Sequence, residues 1–253
     1  MRRPLPPCLL LLAGCSSAGF RPEAYRAVSP TASPPAGVAF VANGSGDFHT
    51  VSANLGQAVA EAAAPLQVET FVWSRGRGRF VLDHTDHANH LTQGRRLATQ
   101  VVAYRQACPG RRVYLVGHSA GCAVVLAAAE VLPPCGVDRV VLLAPSVCTA
   151  YDLRPALRSA RCGIDVFHSS EDRLVLGLGM RLVGTAEHAC RTAAGQYGFT
   201  PVLAGPADAA LYGKLRQHPW GPAVRWSGND GGHYGSNRVG FLRAYVLPLL
   251  AGD

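Results

Sequence analysis

The chain has 253 residues, of which 48% are hydrophobic and 16% are charged, and its formal net charge is +8. This length suffices for one α/β domain with a core, and the composition excludes a disordered chain. The positive charge comes from arginines spread from Arg2 to Arg243, without a block of like charges and without interleaved aromatic residues. We therefore predict a solvated basic surface and no nucleic-acid partner.

The N-terminus has the features of an export signal. Met1-Arg2-Arg3 precedes the short apolar run Cys8-Leu9-Leu10-Leu11-Leu12. The next residues, Leu12-Ala13-Gly14-Cys15, resemble the lipobox at which bacterial lipoprotein precursors are cut before a lipid-bearing cysteine. We predict a lipoprotein-type signal over residues 1–15, with membrane attachment through a lipid on Cys15 in the bacterial cell envelope. Secretion without a lipid, or a cytosolic protein with a chance N-terminal match, is the alternative.

The rest of the chain reads as a tether and one α/β domain. Residues 16–36 are rich in Ser, Pro and Ala, which is typical of a flexible linker, and residues 37–253 are the predicted domain. Continuous apolar strands alternate there with helical patterns, which indicates a mostly parallel sheet with helices on both faces. The predicted strands are Val38–Val41, Val68–Trp73, Val113–Val116, Val140–Leu143, Ile164–Phe167 and Ala223–Trp226. The predicted helices are Val51–Ala63, Leu91–Ala107, Ala120–Val131 and Val239–Leu250.

Two negative predictions follow from spacing. Between the strands at Val140 and Ile164 lie only about twenty residues, which is too few for a large lid. No stretch after the signal reaches the roughly 18 unbroken apolar residues of a membrane-spanning helix. The segment from Gly195 to Pro219 has no clear assignment.

Six cysteines follow the predicted lipidation site, and their pairing does not follow from the sequence. Cys122 falls on an apolar helical face, where a buried free thiol is expected. None has the CxxC spacing of a zinc ribbon or a thioredoxin-type site. The six are Cys108, Cys122, Cys135, Cys148, Cys162 and Cys190.

The strongest motif is Gly117-His118-Ser119-Ala120-Gly121, which lies between a buried strand and an Ala/Val/Leu-rich helix. A serine on such a sharp strand-to-helix turn is exposed for nucleophilic attack, and small residues two positions away relieve crowding in the turn. The alternative is a structural glycine-rich turn of another α/β protein. We interpret Ser119 as a nucleophile.

With this motif the chain resembles the α/β-hydrolase superfamily from about Val38 to Leu250. The resemblance implies a three-layer fold without a large lid, and an acid and a histidine that follow the nucleophile in that order. Asp172, a few residues past a strand, matches the acid, with Glu171 and Asp165 as rivals. His233, in Gly231-Gly232-His233-Tyr234-Gly235, matches the histidine. His118 is too close to the elbow, and His218 precedes the last predicted strand instead of following it.

The resemblance also implies roles for these residues. His233 would act as general base and then general acid for Ser119, and Asp172 would fix its tautomer. The oxyanion hole would use the backbone N–H groups of Ala120 and, from the turn after the first strand, Ser45, with Gly44 as the alternative donor. Asn43 stands where the superfamily usually has His, so a plain Asn-Gly turn is the competing interpretation.

A histidine-rich run, Asp83-His84-Thr85-Asp86-His87-Ala88-Asn89-His90, precedes the second predicted helix. His84, His87 and His90 could contribute to a zinc or nickel site, or could contact substrate at the rim of the site. A surface loop in which Asp or Asn caps the helix is the interpretation we favour, so no metal is predicted.

Together these features predict a serine hydrolase that cleaves a carboxylic ester through an acyl-enzyme and uses no cofactor. The expected substrate is a small-molecule or lipid-like ester. An amidase or peptidase on the same triad is one alternative, and a binding protein with a hydrolase fold but no catalysis is another. The oligomeric state is not predictable from the sequence.

Overall fold

Six strands form one sheet in the order β2-β1-β3-β4-β5-β6, and all five pairings between neighbouring strands are parallel. The computed structural model describes residues 35–173, 175–176, 184–186 and 191–251. The predicted signal with Cys15, most of the predicted tether and Cys190 lie outside the described residues. The strands are β1 Gly37–Ala42, β2 Leu66–Thr70, β3 Arg112–His118, β4 Arg139–Leu143, β5 Ile164–His168 and β6 Leu215–Pro219.

Helices cover both faces of this sheet. Successive side chains of a strand point to opposite sides, so these apolar strands present apolar side chains on both faces. The helices are α1 Thr50–Glu61, α2 Phe80–Thr85, α3 His87–Ala107, α4 Gly121–Val131, α5 Arg154–Ser159, α6 Ala194–Tyr197 and α7 Pro206–Tyr212. On one face, strand residues such as Leu115 and Leu142 pack with helices α3, α4 and α5. On the other face, Val116 and Leu143 pack with α1 and the C-terminal helix. The predicted three-layer α/β architecture is confirmed.

The C-terminal helix is not uniform. It consists of Val239–Phe241, a π-helical stretch Leu242–Val246, and Leu247–Ala251. The π-helical stretch lies before Pro248, which has no N–H to donate to a carbonyl one turn back. Among the described helices, none is long and apolar enough to cross a membrane.

One predicted strand is wrong. Ala223–Trp226 lies in a 3₁₀-helix, Pro222–Ser227, which begins with a proline that is well suited to a helical first turn. The sixth strand is instead Leu215–Pro219, within the segment that had no assignment. Four of its five residues are Arg, Gln, His and Pro, so it lacks the apolar run of a central strand. As the edge strand beside β5, it exposes polar side chains to solvent.

Between β4 and β5 the chain contains only the short helix α5, and no separate lid domain is present among the described residues. Cys148 is disulfide-bonded, and free thiols are present at Cys108, Cys122, Cys135 and Cys162. Cys122 is fully buried, as expected for an apolar helix face, and burial raises the pKa of its thiol.

Candidate active site

Ser119 lies on a sharp turn between β3 and α4, with a φ of +53° that L-residues rarely adopt. The turn is possible because glycines lie two residues before and two residues after Ser119. A Cβ at Gly117 would lie 2.8 Å from Cys122 Cα, and a Cβ at Gly121 would lie 2.3 Å from the carbonyl oxygen of Ala42. The strained serine is thus held where only glycine fits on either side.

Two main-chain hydrogen bonds fasten this serine to the neighbouring strand and loop. The Ser119 N–H donates to the carbonyl of Leu143 at the end of β4, over 3.0 Å, and the Ser146 N–H donates to the Ser119 carbonyl over 3.3 Å. The position of the hydroxyl is therefore set by the sheet itself.

Ser119, His233 and Asp172 form one chain of hydrogen bonds. His233 Nε2 lies 3.0 Å from Ser119 Oγ, and His233 Nδ1 lies 2.6 Å from Asp172 Oδ2. All three residues are at most 8% exposed. A carboxylate only accepts hydrogen bonds, so Nδ1 carries the proton and Nε2 presents its lone pair to the serine hydroxyl.

The acid and the histidine come from loops at the same edge of the sheet as Ser119. Asp172 follows β5, and its second oxygen accepts the Leu176 N–H over 3.2 Å. His233 lies in a loop that Asn229 organises, since Asn229 Oδ1 accepts the Gly231 N–H over 3.0 Å. Gly231 has a φ of +88° and packs against the ring of Trp220, where a Cβ would approach to 2.9 Å. This loop therefore depends on glycine at position 231.

The rival acids are occupied elsewhere. Glu171 is exposed and forms an ion pair with Arg173 over 3.3 Å. Asp165 is fully buried within β5. Burial raises its pKa, but hydrogen bonds from His218, Arg216 and Arg139 outweigh this and hold the pKa below the usual value.

The rival histidines have partners other than the Ser119 hydroxyl, which is bonded to His233. The sequence predicted His218 before the last strand, but it lies inside the last strand, β6. Its Nε2 lies 2.9 Å from Asp165, and its ring stacks on Phe167. His118 packs against the His233 ring, with centroids 5.0 Å apart. Burial first, and then the proximity of His233, lower the pKa of His118 to about 3. His118 is therefore neutral beside the site.

The predicted oxyanion groups lie next to Ser119. Ala120 precedes α4, and N–H groups at the start of a helix have no acceptor within it. Gly44 and Ser45 both line the cavity at Ser119, and a Cβ at Gly44 would lie 3.4 Å from Ser119 Cβ. Nothing in this geometry selects Ser45 over Gly44 as the second donor, so Ser45 stays a prediction.

The loop with Gly44 and Ser45 is held by two side chains whose role the sequence did not show. Asn43 Oδ1 accepts the N–H groups of Val51 and Ser52, over 2.9 and 3.1 Å, and so caps α1. Asp83 Oδ2 accepts the Gly46 N–H over 2.8 Å across 37 residues of sequence. Asn43 therefore has a structural role at the position where the superfamily usually has His.

The histidine-rich run differs from the predicted surface loop. Asp86 does cap α3, accepting the Asn89 N–H over 2.9 Å, as expected. However, Asp83 and His90 are fully buried and His84 is 8% exposed, so the run is not a surface loop. Burial lowers the pKa of His90 to about 4. Among the described residues, no group of three His, Cys, Asp or Glu side chains is arranged to hold a metal ion.

Two cavities flank the hydrogen-bonded residues. A cavity of about 470 Å³ opens at Ser119 and His233, and a smaller one of about 280 Å³ lies behind Asp172. Among the described residues that line the larger cavity, none is Asp, Glu, Lys or Arg. Its lining is Gly44, Ser45, Phe48, Thr50, Phe80, Val81, His84, His118, Ser119, Val175, His233 and Tyr234.

No family model matches the chain, and no curated protein matches it. Solved structures of α/β hydrolases are similar to it at low identity. A predicted CIB-like hydrolase from Thermoplasma acidophilum is 14% identical over 86% of this chain and 87% of that one, with a TM-score of 0.47. A Xanthomonas campestris serine hydrolase without a lid is 14% identical over 88% and 86%, also with a TM-score of 0.47.

A Trichoderma reesei cutinase in complex with a phosphonate inhibitor is 20% identical, with a TM-score of 0.39. That match covers 50% of this chain and spans only 60% of the cutinase. At these identities and TM-scores, the resemblances do not bear on what this chain does.

Proposed function

We propose that this chain is a serine hydrolase that cleaves a carboxylic ester through an acyl-enzyme. The observation that carries the proposal is the unbroken hydrogen-bonded chain Asp172–His233–Ser119 at the mouth of a cavity. A serine hydroxyl is a weak nucleophile, and a base within hydrogen-bond reach that is itself oriented by a carboxylate is what activates it.

The reaction runs in two halves. His233 takes the Ser119 proton as Oγ attacks the ester carbonyl, and the carbonyl oxygen becomes an oxyanion beside the Ala120 N–H and the Gly44–Ser45 turn. His233 then gives that proton to the departing alkoxide, so that an alcohol leaves and the acyl group stays on Ser119. In the second half, His233 deprotonates a water that attacks the acyl-enzyme, which releases the acid and restores the hydroxyl.

A fluorophosphonate probe tests the nucleophile directly, because it labels only an activated serine. We expect labelling of the folded wild-type protein, none of Ser119→Ala, and full labelling of Ser227→Ala, a matched control outside the site. Folded wild-type protein that is not labelled would support a binding role and refute the proposal.

Two further measurements define the reaction class. A burst of p-nitrophenol from p-nitrophenyl acetate, equal in size to the enzyme concentration, is expected for an acyl-enzyme that accumulates. Faster turnover of the corresponding p-nitroanilide than of the ester would instead indicate an amidase on the same residues.

We also propose that the protein is exported and is held on the membrane of the cell envelope by a lipid on Cys15. The support is the order Leu12-Ala13-Gly14-Cys15 behind a basic and apolar N-terminus. In a bacterial host, metabolic labelling with a fatty acid should mark the wild-type chain and not Cys15→Ser. Equal labelling of both would refute the lipid anchor without touching the catalytic proposal.

A further inference from the structure

Four large apolar side chains lie exposed near the Ser119 cavity: three of them line it, and the fourth, Leu82, follows them on helix α2. We call them the apolar rim: Phe48, Phe80, Val81 and Leu82, which are 40%, 47%, 67% and 40% exposed. Phe48 stacks on Phe80, with ring centroids 5.4 Å apart and planes at 13°. Soluble surfaces rarely group large apolar side chains in this way unless something covers them.

Helix α2 is turned the opposite way from an ordinary surface helix, which buries its apolar face. Its polar residues Asp83 and His84 point inward, where Asp83 accepts three hydrogen bonds and His84 lies 2.9 Å from the Gly184 carbonyl oxygen. Its apolar residues are the ones left in solvent. The inward polar contacts fix this orientation, so the exposure of the apolar rim is built into the fold.

Arginines surround the same surface. The guanidinium of Arg77 lies 5.7 Å above the Phe48 ring, and Arg79 directly precedes α2. Arg75 is neutralised by Asp86 over 2.6 Å, whereas no carboxylate within the described ranges pairs with Arg77 or Arg79. An apolar surface beside unpaired arginines is complementary to an anionic lipid surface, which offers phosphates above a hydrocarbon layer.

The rim is also continuous with the reaction site. Phe48, Phe80 and Val81 are exposed to solvent and at the same time line the cavity at Ser119. A chain of methylene groups leaving a bilayer at the rim would therefore reach the serine hydroxyl without crossing polar solvent.

We propose that the apolar rim, together with Arg77 and Arg79, docks this protein on an anionic lipid bilayer, and that its ester substrate is an acyl lipid drawn from that bilayer. The choice of substrate rests on the proposed hydrolase function, whereas the docking does not.

Vesicle sedimentation tests the docking. The full-length chain carries Cys15→Ser throughout, so that no lipid on Cys15 can hold it on a vesicle. We expect stronger binding to phosphatidylglycerol–phosphatidylcholine vesicles than to pure phosphatidylcholine. Arg77→Gln with Arg79→Gln should weaken binding to the anionic vesicles roughly thirtyfold, since each arginine near such a surface contributes about fivefold. Arg158→Gln, an exposed arginine on α5, should leave it unchanged.

The apolar part has its own matched pair. Leu82→Gln should weaken binding roughly tenfold, as expected for the exposed part of one leucine side chain. Val131→Gln, the same kind of change on a residue 55% exposed at the end of α4, should have no effect. The ratio of fatty-acid release from the vesicles to hydrolysis of soluble p-nitrophenyl acetate should fall in the rim and arginine variants and stay constant in both controls.

Binding that is equal for both vesicle types, or that ignores these substitutions, would overturn the proposal. Dimers that Leu82→Gln dissociates, without vesicle binding, would show that a second copy covers the rim and would overturn it too. Vesicle binding that responds as expected, in a protein whose Ser119 is never labelled, would support the docking and refute the hydrolase function alone.

Discussion

Asp83 offers a sharp test of how the site is built, because it joins α2 to the turn with the proposed oxyanion donors. Its carboxylate accepts the Gly46 N–H and the Arg75 N–H, each over 2.8 Å, and the Ser74 hydroxyl over 2.5 Å. In Asp83→Ala all three donors lose their acceptor. We expect this variant to release the Gly44–Ser45 turn and to lower kcat.

The cost in stability can be worked out bond by bond. A hydrogen bond to a charged group contributes about 1.5–3 kcal/mol. The Ser74 hydroxyl can turn to the Gly76 carbonyl, which lies 3.2 Å away, and Arg75 is an exposed residue whose N–H can reach water. Gly46 is buried, so its N–H has no such alternative acceptor, and the loss of its hydrogen bond to Asp83 dominates the cost. We expect the free energy of unfolding to fall by about 2–4 kcal/mol.

Asp83→Ala should also lower kcat in the protein that remains folded. Loss of one oxyanion donor lowers kcat by roughly 100- to 1,000-fold in serine hydrolases. We therefore expect Asp83→Ala to lower kcat for p-nitrophenyl acetate at least about 100-fold, with less than about fivefold change in KM. Asp83→Asn, which keeps one acceptor, should fall between the variant and the wild type.

Asp86→Ala is the matched control, because Asp86 caps α3 three residues further along and contacts no atom of the oxyanion turn. It should lose about 1 kcal/mol of stability and keep kcat within about threefold. An Asp83→Ala protein that is destabilised to the expected extent but keeps the wild-type kcat would refute the link between this carboxylate and the oxyanion turn.

Three other predictions follow. His233→Ala should lower kcat on the order of 10⁴-fold or more with unchanged circular dichroism; activity within tenfold of the wild type would mean that another group is the base. Gly121→Ala should destabilise by about 3 kcal/mol, because its Cβ meets two main-chain oxygens at 2.3 and 2.4 Å, whereas Gly56→Ala in the open on α1 should stabilise by about 0.5–1 kcal/mol; equal urea midpoints would contradict this. Burial lowers the pKa of His90 to about 4, against 6.5 in the unfolded chain, so the unfolded chain binds more protons between these two pH values. The free energy of unfolding should therefore fall by up to about 3 kcal/mol as the pH drops from 6.5 to 4. His90→Gln should reduce this pH dependence, measured by urea titrations at successive pH values.

The sequence was informative where function depends on local pattern. A buried strand, a serine flanked by glycines and an apolar helix define the turn at Ser119 within a few residues. The order of the later motifs then led to Asp172 and His233, and the fold brings both to Ser119. Four of the six strands, β1, β3, β4 and β5, were predictable because they are central and buried and therefore read as continuous apolar runs. The edge strand β2 was predicted with shifted bounds, as Val68–Trp73 instead of Leu66–Thr70.

Features that depend on distant contacts were not predictable in this way. Strand Leu215–Pro219 satisfies its polar side chains on Asp165 and Phe199 and so has no apolar signature. Asp83 was visible only as a polar residue in a histidine-rich run, since its partner Gly46 is 37 residues away. The inverted orientation of α2 has the same cause, because burial of its polar face depends on donors from other loops.

The main-chain fastening of Ser119 has a consequence for how this scaffold can change. The main-chain bonds of Ser119 to Leu143 and Ser146 involve no residue that lines the cavity other than Ser119 itself. The sheet and the loop after β4 thus hold the backbone of Ser119 in place. The cavity residues Phe48, Phe80 and Val81 belong instead to a turn and to the short helix α2, which lie outside the sheet. Substitutions at Phe48, Phe80 or Val81 can therefore change the substrate specificity while the geometry at Ser119 stays the same.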